Sequence, residues 1–185
     1  MSADAGSAAE DGLVFRRPFQ TEHFFLELLT PNDFDALHAV ASDPLLWEQR
    51  PEADRWKRLK FQRFFHGGLT NDLGCFVIRE KRSGRPAGSS RFYGYDDADR
   101  CIRIGYTFIA RELWGTAANR EIKEAMLLRA FNVVDRVFLI SDLKIFGLSR
   151  RLKSWVQSSV TTNLTPKRST CYQSSSGSKP PVFIK

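Results

Sequence analysis

The residues best able to do chemistry in this 185-residue chain lie in one run, Ile102 to Phe131. At its centre, Trp114-Gly115-Thr116-Ala117-Ala118-Asn119 places small side chains where a ligand can come close to the main chain. Before it, Ile104 to Ile109 is rich in β-branched and aromatic residues, which suits a half-buried strand. After it, Ala118, Ile122, Ala125 and Met126 recur at helical spacing, with Arg120, Lys123 and Glu124 on other faces. A helix starting there presents unpaired backbone N–H groups and the positive end of its dipole, a seat for phosphate. Many α/β proteins contain the same strand, turn and helix and bind nothing with it.

The elements that must position this unit can be read in chain order. Phe24 to Leu29 forms a first strand, and Thr30-Pro31-Asn32-Asp33 caps a helix running through Phe34, Leu37, His38 and Val40 to about Ser42. A lone helical histidine, His38 reads as structural. Pro44 breaks the helix and leaves Trp47 and Glu48 on a turn. Asp54 to Phe65 forms a second helix, with Trp56, Leu59, Phe61, Phe64 and Phe65 as a core face, ended by Gly67-Gly68. Strands follow at Cys75 to Ile78 and Ala87 to Tyr93, joined by the turn Arg82 to Pro86. Gly94 to Arg100 is a loop whose Asp96, Asp97 and Asp99 suit turn chemistry better than a metal site. Val134 to Ile140 is a last strand. This order of elements is α+β.

The letters Trp114-Gly115-x-Ala117-x-Asn119-x-Glu121, after Gly105-Tyr106-Thr107-Phe108, resemble the acetyl-coenzyme A motif of the GNAT N-acetyltransferases. Their ribosomal-protein alanine acetyltransferase branch is the most similar, and the resemblance runs from about Phe24 to Ile140. It takes in Leu28-Leu29-Thr30-Pro31-x-Asp33 and Ser89-Ser90-Arg91-Phe92. It implies a GNAT fold, a mostly antiparallel mixed sheet flanked by helices. It also implies acetyl-coenzyme A as cosubstrate, a primary amine as acceptor (a protein N-terminus or a small amine), and no metal. In that family the last strand splays from its neighbour and the gap admits the pantetheine arm. Amides near Phe108 and Ile109 would hold the thioester carbonyl, and those of Trp114, Gly115, Thr116, Ala117, Ala118 and Asn119 the pyrophosphate. No catalytic base can be named, because Arg103 stands where many relatives carry Glu. Ser90 and Tyr106 face the channel by strand alternation, and packing explains both equally well. Glu48 is a candidate amine contact, with a solvated carboxylate as its alternative.

Composition sets the outer limits. The length suits one domain with a sizeable core. No apolar run approaches the roughly 18 residues of a membrane span and the start lacks the marks of a signal peptide, so the expected setting is cytoplasmic, without a membrane partner. Cys75, Cys101 and Cys171 show no metal or redox spacing and are expected as reduced thiols. Residues 1–140 carry 20 basic and 20 acidic side chains, while 141–185 carry 8 basic and 1 acidic, so the whole +7 lies in the tail. The body therefore shows no electrostatic footprint for nucleic acid, and a nucleic-acid-associated module would have to use the tail.

Residues 1–12 are expected as a mobile leader, 13–157 as the acetyltransferase domain, family-like to about 140, and 158–185 as a disordered basic Ser/Thr-rich tail. After Ile140 a family member continues with a helix of the form Asn-x-x-Ser-x-x-Ala-x-Glu-Lys-x-Gly. This chain instead reads SDLKIFGLSRRLKSWVQSSV, with room for a short helix from Gly147 to Val156. Reading each codon's third base with the next codon's first two permits Asn-Ile-Arg-Ser-Gln-x-Ala-Ala-Glu-Lys-Leu-Gly, in which the junction of Trp155 with Val156 must encode glycine. A frame change near Ser141 would account for the excess charge and the ten serines beyond Ile140. The alternatives are a genuine variable tail and, for the whole chain, a non-catalytic protein of the same fold.

Overall fold

In strand β2 (Phe24–Leu28), alternation buries Phe24 and Leu26 and turns Phe25 and Glu27 outward. The computed structural model describes residues 13–141, and beyond them the backbone of one further strand, 144–149. β1 (Phe19–Gln20), β2, β3 (Cys75–Glu80), β4 (Pro86–Asp96), β5 (Cys101–Ile109), β6 (Arg136–Ser141) and β7 (Lys144–Ser149) lie in one sheet in chain order. Every neighbouring pair is antiparallel except β5 with β6, which helix α3 (Ala118–Ala130) joins as a parallel crossover. The α+β, mostly antiparallel mixed sheet expected above is what forms.

Two apolar layers cover the sheet. On one face Ile102, Ile104 and Ile109 meet Ala118, Ile122, Met126 and Ala130 of α3. On the other, Val77 and Phe108 meet Leu37 and Ala41 of α1 (Phe34–Ala41), Trp47, and Phe61 and Phe65 of α2 (Arg58–Leu69). The entry to α1 is a capping box: the Thr30 amide and hydroxyl donate to Asp33 at 2.8 and 2.7 Å. Arg79 on β3 joins the same carboxylate and also Glu27, at 2.9 Å, tying the helix start to the sheet.

Several boundaries differ from the sequence reading. α2 starts at Arg58 and its buried stripe is Phe61, Phe65 and Gly68, so Leu59 lies 76 % exposed and Trp56 stays outside the helix. The Gly67-Gly68 pair does not end it. An added Cβ on Gly68 would sit 2.8 Å from a Leu29 methyl and 3.0 Å from Cys75 Sγ, so a larger residue there would have to displace those side chains. β4 continues to Asp96, leaving a tighter turn in which the Asp99 amide donates to Asp96 and Arg136 pairs with Asp99. His38 stacks on Phe34 and its Nε2 meets the Trp56 carbonyl at 3.3 Å, a packing role.

Cys75 is a buried free thiol, whereas Cys101 is disulfide-bonded: the odd count rules out a complete framework but not a single bridge. Residues 144–149 form a strand on β6, so Gly147 to Ser149 do not begin a helix. The leader 1–12 and the tail from 150 onward lie outside the described residues. Among those described, no helix is long and apolar enough to cross a membrane and no three His, Cys, Asp or Glu side chains cluster as metal ligands.

Candidate functional site

The sheet forks at β5. Its pairing with β6 covers Cys101 to Ile104, opposite Arg136 to Leu139, and stops there, while β5 runs on to Ile109. A bulge against β4 lies just beyond that point. Arg91 pairs with Gly105 and Ser89 with Phe108, so two residues, Tyr106 and Thr107, oppose the single Ser90. Tyr106 takes φ +51°, a left-handed conformation that a bulky side chain rarely adopts. Its ring is held by Tyr93 at 5.0 Å and by the Arg91 guanidinium, 4.1 Å above it. That guanidinium also donates to the carbonyls of Phe64 and Gly67, meeting the negative end of α2 with a cation. Beside the bulge β4 and β5 approach so closely that a Cβ on Gly88 would lie 2.1 Å from the Phe108 carbonyl oxygen.

Past the bulge, the Ala110 amide donates to the Ala87 carbonyl at 2.7 Å. Strand alternation then turns the Phe108 amide toward β4 and the Ile109 amide to the open edge. Of the two residues expected at the thioester, Ile109 has its amide facing away from β4, and Phe108 has its amide on β4 and its ring in the α1–α2 core.

The edge leads to the start of α3. Trp114 anchors the turn through an indole bond to the Ile109 carbonyl at 3.0 Å. Gly115 has φ +76°, which only glycine adopts freely, and a Cβ there would meet no atom within 4 Å. The Thr116 hydroxyl donates to the Leu113 carbonyl and accepts from the Ala118 amide. The first helical bond runs from Glu121 to Ala117, so among the described residues the amides of Gly115, Ala117 and Asn119 keep no protein partner. Gly115, Thr116, Ala117 and Asn119 are exposed, and Ala118 alone of the turn is buried. The mouth is open, and its free donors fit a diphosphate.

Glu121, one turn on, clamps this helix start to the approach to β2. Its carboxylate accepts from the His23 amide at 2.8 Å and meets His23 Nδ1 at 2.9 Å. Burial works against that carboxylate, but the bonds from Thr21 and His23 outweigh it and hold its pKa low, while the same pairing raises His23.

One group escaped the sequence reading. Lys123, placed there on an outward face, sends its ammonium to the Thr107 hydroxyl and to Ser90 Oγ at 3.3 Å, and the two hydroxyls lie 2.7 Å apart. Desolvation, then repulsion from Arg50, lowers its pKa to about 7. The available signal was the pair of polar residues, Ser90 and Thr107, in otherwise apolar strands. Ser90, fully buried, and Tyr106, 45 % exposed, lie at the bulge, and Glu48 is exposed beside Trp47, whose ring packs on Phe108.

The sheet thus parts beside a bulge, and β5 leads on to an exposed helix start. The acetyltransferase (GNAT) domain family matches residues 23–146, and the chain belongs to that family. No curated protein sequence matches it. Among solved structures it is similar to a GCN5-related N-acetyltransferase from Brucella melitensis, at 24 % identity and TM-score 0.55 over 66 % of this chain and 59 % of that one. A ribosomal-protein alpha-N-acetyltransferase in complex with coenzyme A aligns at 12 % identity and TM-score 0.56, over 66 % and 73 %. Spermidine N-acetyltransferase from Vibrio cholerae, in complex with coenzyme A and spermine, aligns at 14 % and 0.50, over 63 % and 70 %. The chain spans less than two thirds of the length of the Brucella protein.

Proposed function

We propose that this chain transfers the acetyl group of acetyl-coenzyme A to a primary amine, a protein N-terminus or a small amine, by direct attack on the thioester. The observation that carries the reading is the fork: among the described residues nothing pairs with β5 on the β6 side beyond Ile104, and the strand leads to helix-start amides without a partner among those residues. Gly115, Ala117 and Asn119 would hold the pyrophosphate, with Trp114, Thr116 and Ala118 shaping the turn, and the Ile109 amide would hold the thioester carbonyl as charge develops on its oxygen. The pantetheine arm would add to the β5 edge as a strand does. No metal enters this chemistry. The assignment to the ribosomal-protein alanine acetyltransferase branch, and a cytoplasmic setting, belong to the same proposal.

The test is calorimetric titration with acetyl-coenzyme A, followed by thiol release with a panel of N-terminal peptides and small amines. Binding lost on Gly115→Asp supports the reading. No binding at all refutes it.

The second reading, a non-catalytic protein of the same fold, is favoured by one observation. β7 follows β6 directly, where the family continues with a helix. Binding without thiol release selects it. The proposed frame change near Ser141 has its own test in the coding DNA, whose third bases either spell the Glu-Lys-Leu-Gly helix or do not.

A further inference from the structure

We propose that Lys123 is the proton-transfer group of this acetyl transfer, carrying a proton from the attacking nitrogen to the departing sulfur at the root of the fork. The inference rests on the acetyl-transfer reading and adds the acid and base that the sequence did not supply.

Three strands of geometry carry it. Lys123 leaves the second turn of α3, yet its ammonium turns inward to Thr107 and Ser90 instead of reaching along the helix to solvent. Those hydroxyls belong to the bulge itself: Thr107 follows Tyr106, and Ser90 is the residue they oppose. The same residues mark the point where β6 has already left β5 and where the Ile109 amide turns to the open edge. Through Thr107 the amine touches β5 two residues before Ile109, the residue whose amide would receive the thioester.

The charges around the amine are those of a working base and not of a structural ion pair. β4 and β5 offer it only hydroxyls, and the connection between α1 and α2 brings Arg50, a like charge. On its own helix Arg120 and Glu124 face each other at 3.8 Å. Arg91, on the opposite face of β4, is engaged with the carbonyls of α2. Among the described residues no carboxylate pairs with Lys123, so burial and Arg50 keep both protonation states accessible near neutrality.

The step balances. The acceptor nitrogen's lone pair attacks the thioester carbon, a C–N bond forms, and the carbonyl π pair moves to oxygen. Neutral Lys123 takes the proton now in excess on nitrogen. The oxygen pair re-forms the carbonyl, the C–S bond breaks with its pair on sulfur, and the Lys123 ammonium gives that proton to sulfur. Amide, thiol and neutral lysine result.

The test uses the full chain as wild type, Lys123→Arg and Lys123→Met. Each is assayed for acetyl-coenzyme A binding by calorimetry and for thiol release with the best acceptor between pH 5.5 and 9.5. In parallel, the Nζ of Lys123 is titrated by NMR in isotope-labelled protein with and without acetyl-coenzyme A. Expected are near-equal binding, a fall in kcat of about 100-fold or more in both variants, and loss of the wild-type limb near neutral pH. Arginine keeps charge and donors but cannot deprotonate, so Lys123→Arg with full activity and an unchanged limb overturns the lysine's role while leaving acetyl transfer standing. If the wild type binds but transfers nothing, the NMR titration decides: a midpoint near neutrality that acetyl-coenzyme A shifts supports the proposal. A midpoint near 10, or one indifferent to acetyl-coenzyme A, overturns it. Failure of the wild type to bind overturns both readings.

Discussion

Replacing Lys123 by Met is expected to stabilise this protein, and by an amount that depends on pH. Burial of the ammonium lowers its pKa from 10.5 to about 7. Between those values the unfolded chain binds more protons than the folded one, so wild-type stability rises as pH rises from about 7 toward 10.5, and the full cost applies below 7. That displacement corresponds to a ceiling of roughly 5 kcal/mol. Methionine fills much the same volume without charge, and the hydroxyls left behind remain bonded to each other at 2.7 Å. A net gain of about 2–4 kcal/mol below pH 7 is therefore expected, in line with other replacements of buried charge by apolar side chains. In a chain of this size that raises Tm by on the order of 5–15 °C. Urea unfolding followed by tryptophan fluorescence at pH 6, 7.5 and 9.5 measures it. The advantage of the variant should be widest at pH 6 and close toward pH 9.5. An equal difference at every pH, or a variant less stable at pH 6, refutes the claim that a desolvated ammonium sits under the bulge.

Gly88→Ala should cost about 2–4 kcal/mol, because the new methyl meets the backbone carbonyl of Phe108, which no side-chain rotation can relieve. Thermal melts read the loss, and an unchanged melt excludes the close approach of β4 and β5. Gly115→Ala meets no atom but must adopt φ +76°, so about 1–2 kcal/mol of stability should go, with a larger proportional loss of acetyl-coenzyme A affinity by calorimetry. The His23–Glu121 clamp has a pH window. The raised His23 pKa contributes stability below about 6.5 that fades as pH rises, and the lowered Glu121 pKa contributes stability above about 4.5 that fades as pH falls. His23→Ala should therefore destabilise more at pH 5.5 than at pH 8.5, and a cost independent of pH in denaturant titrations excludes the pairing.

The sequence by itself determined the kinds of element up to about Ile140 and where an exposed helix start would fall. β-branched and aromatic runs specify strands, the Thr30 and Asp33 pair specifies a helix entry, and the small residues from Gly115 to Ala118 specify an open helix start, because each depends on neighbours within a few positions. Those same letters carried the family resemblance. What a side chain meets across the sheet was decided elsewhere. The outward position of Leu59 and the packing of Gly68 follow from which face of α2 reaches β3. The bulge at Tyr106 arises because β4 holds its register on both sides of Ser90 while β5 carries one extra residue. Lys123 sits at an outward helical position until α3 is laid over β4 and β5. Only then do Ser90, Thr107 and Lys123, far apart along the chain, come together, and only that contact removes the ammonium from water.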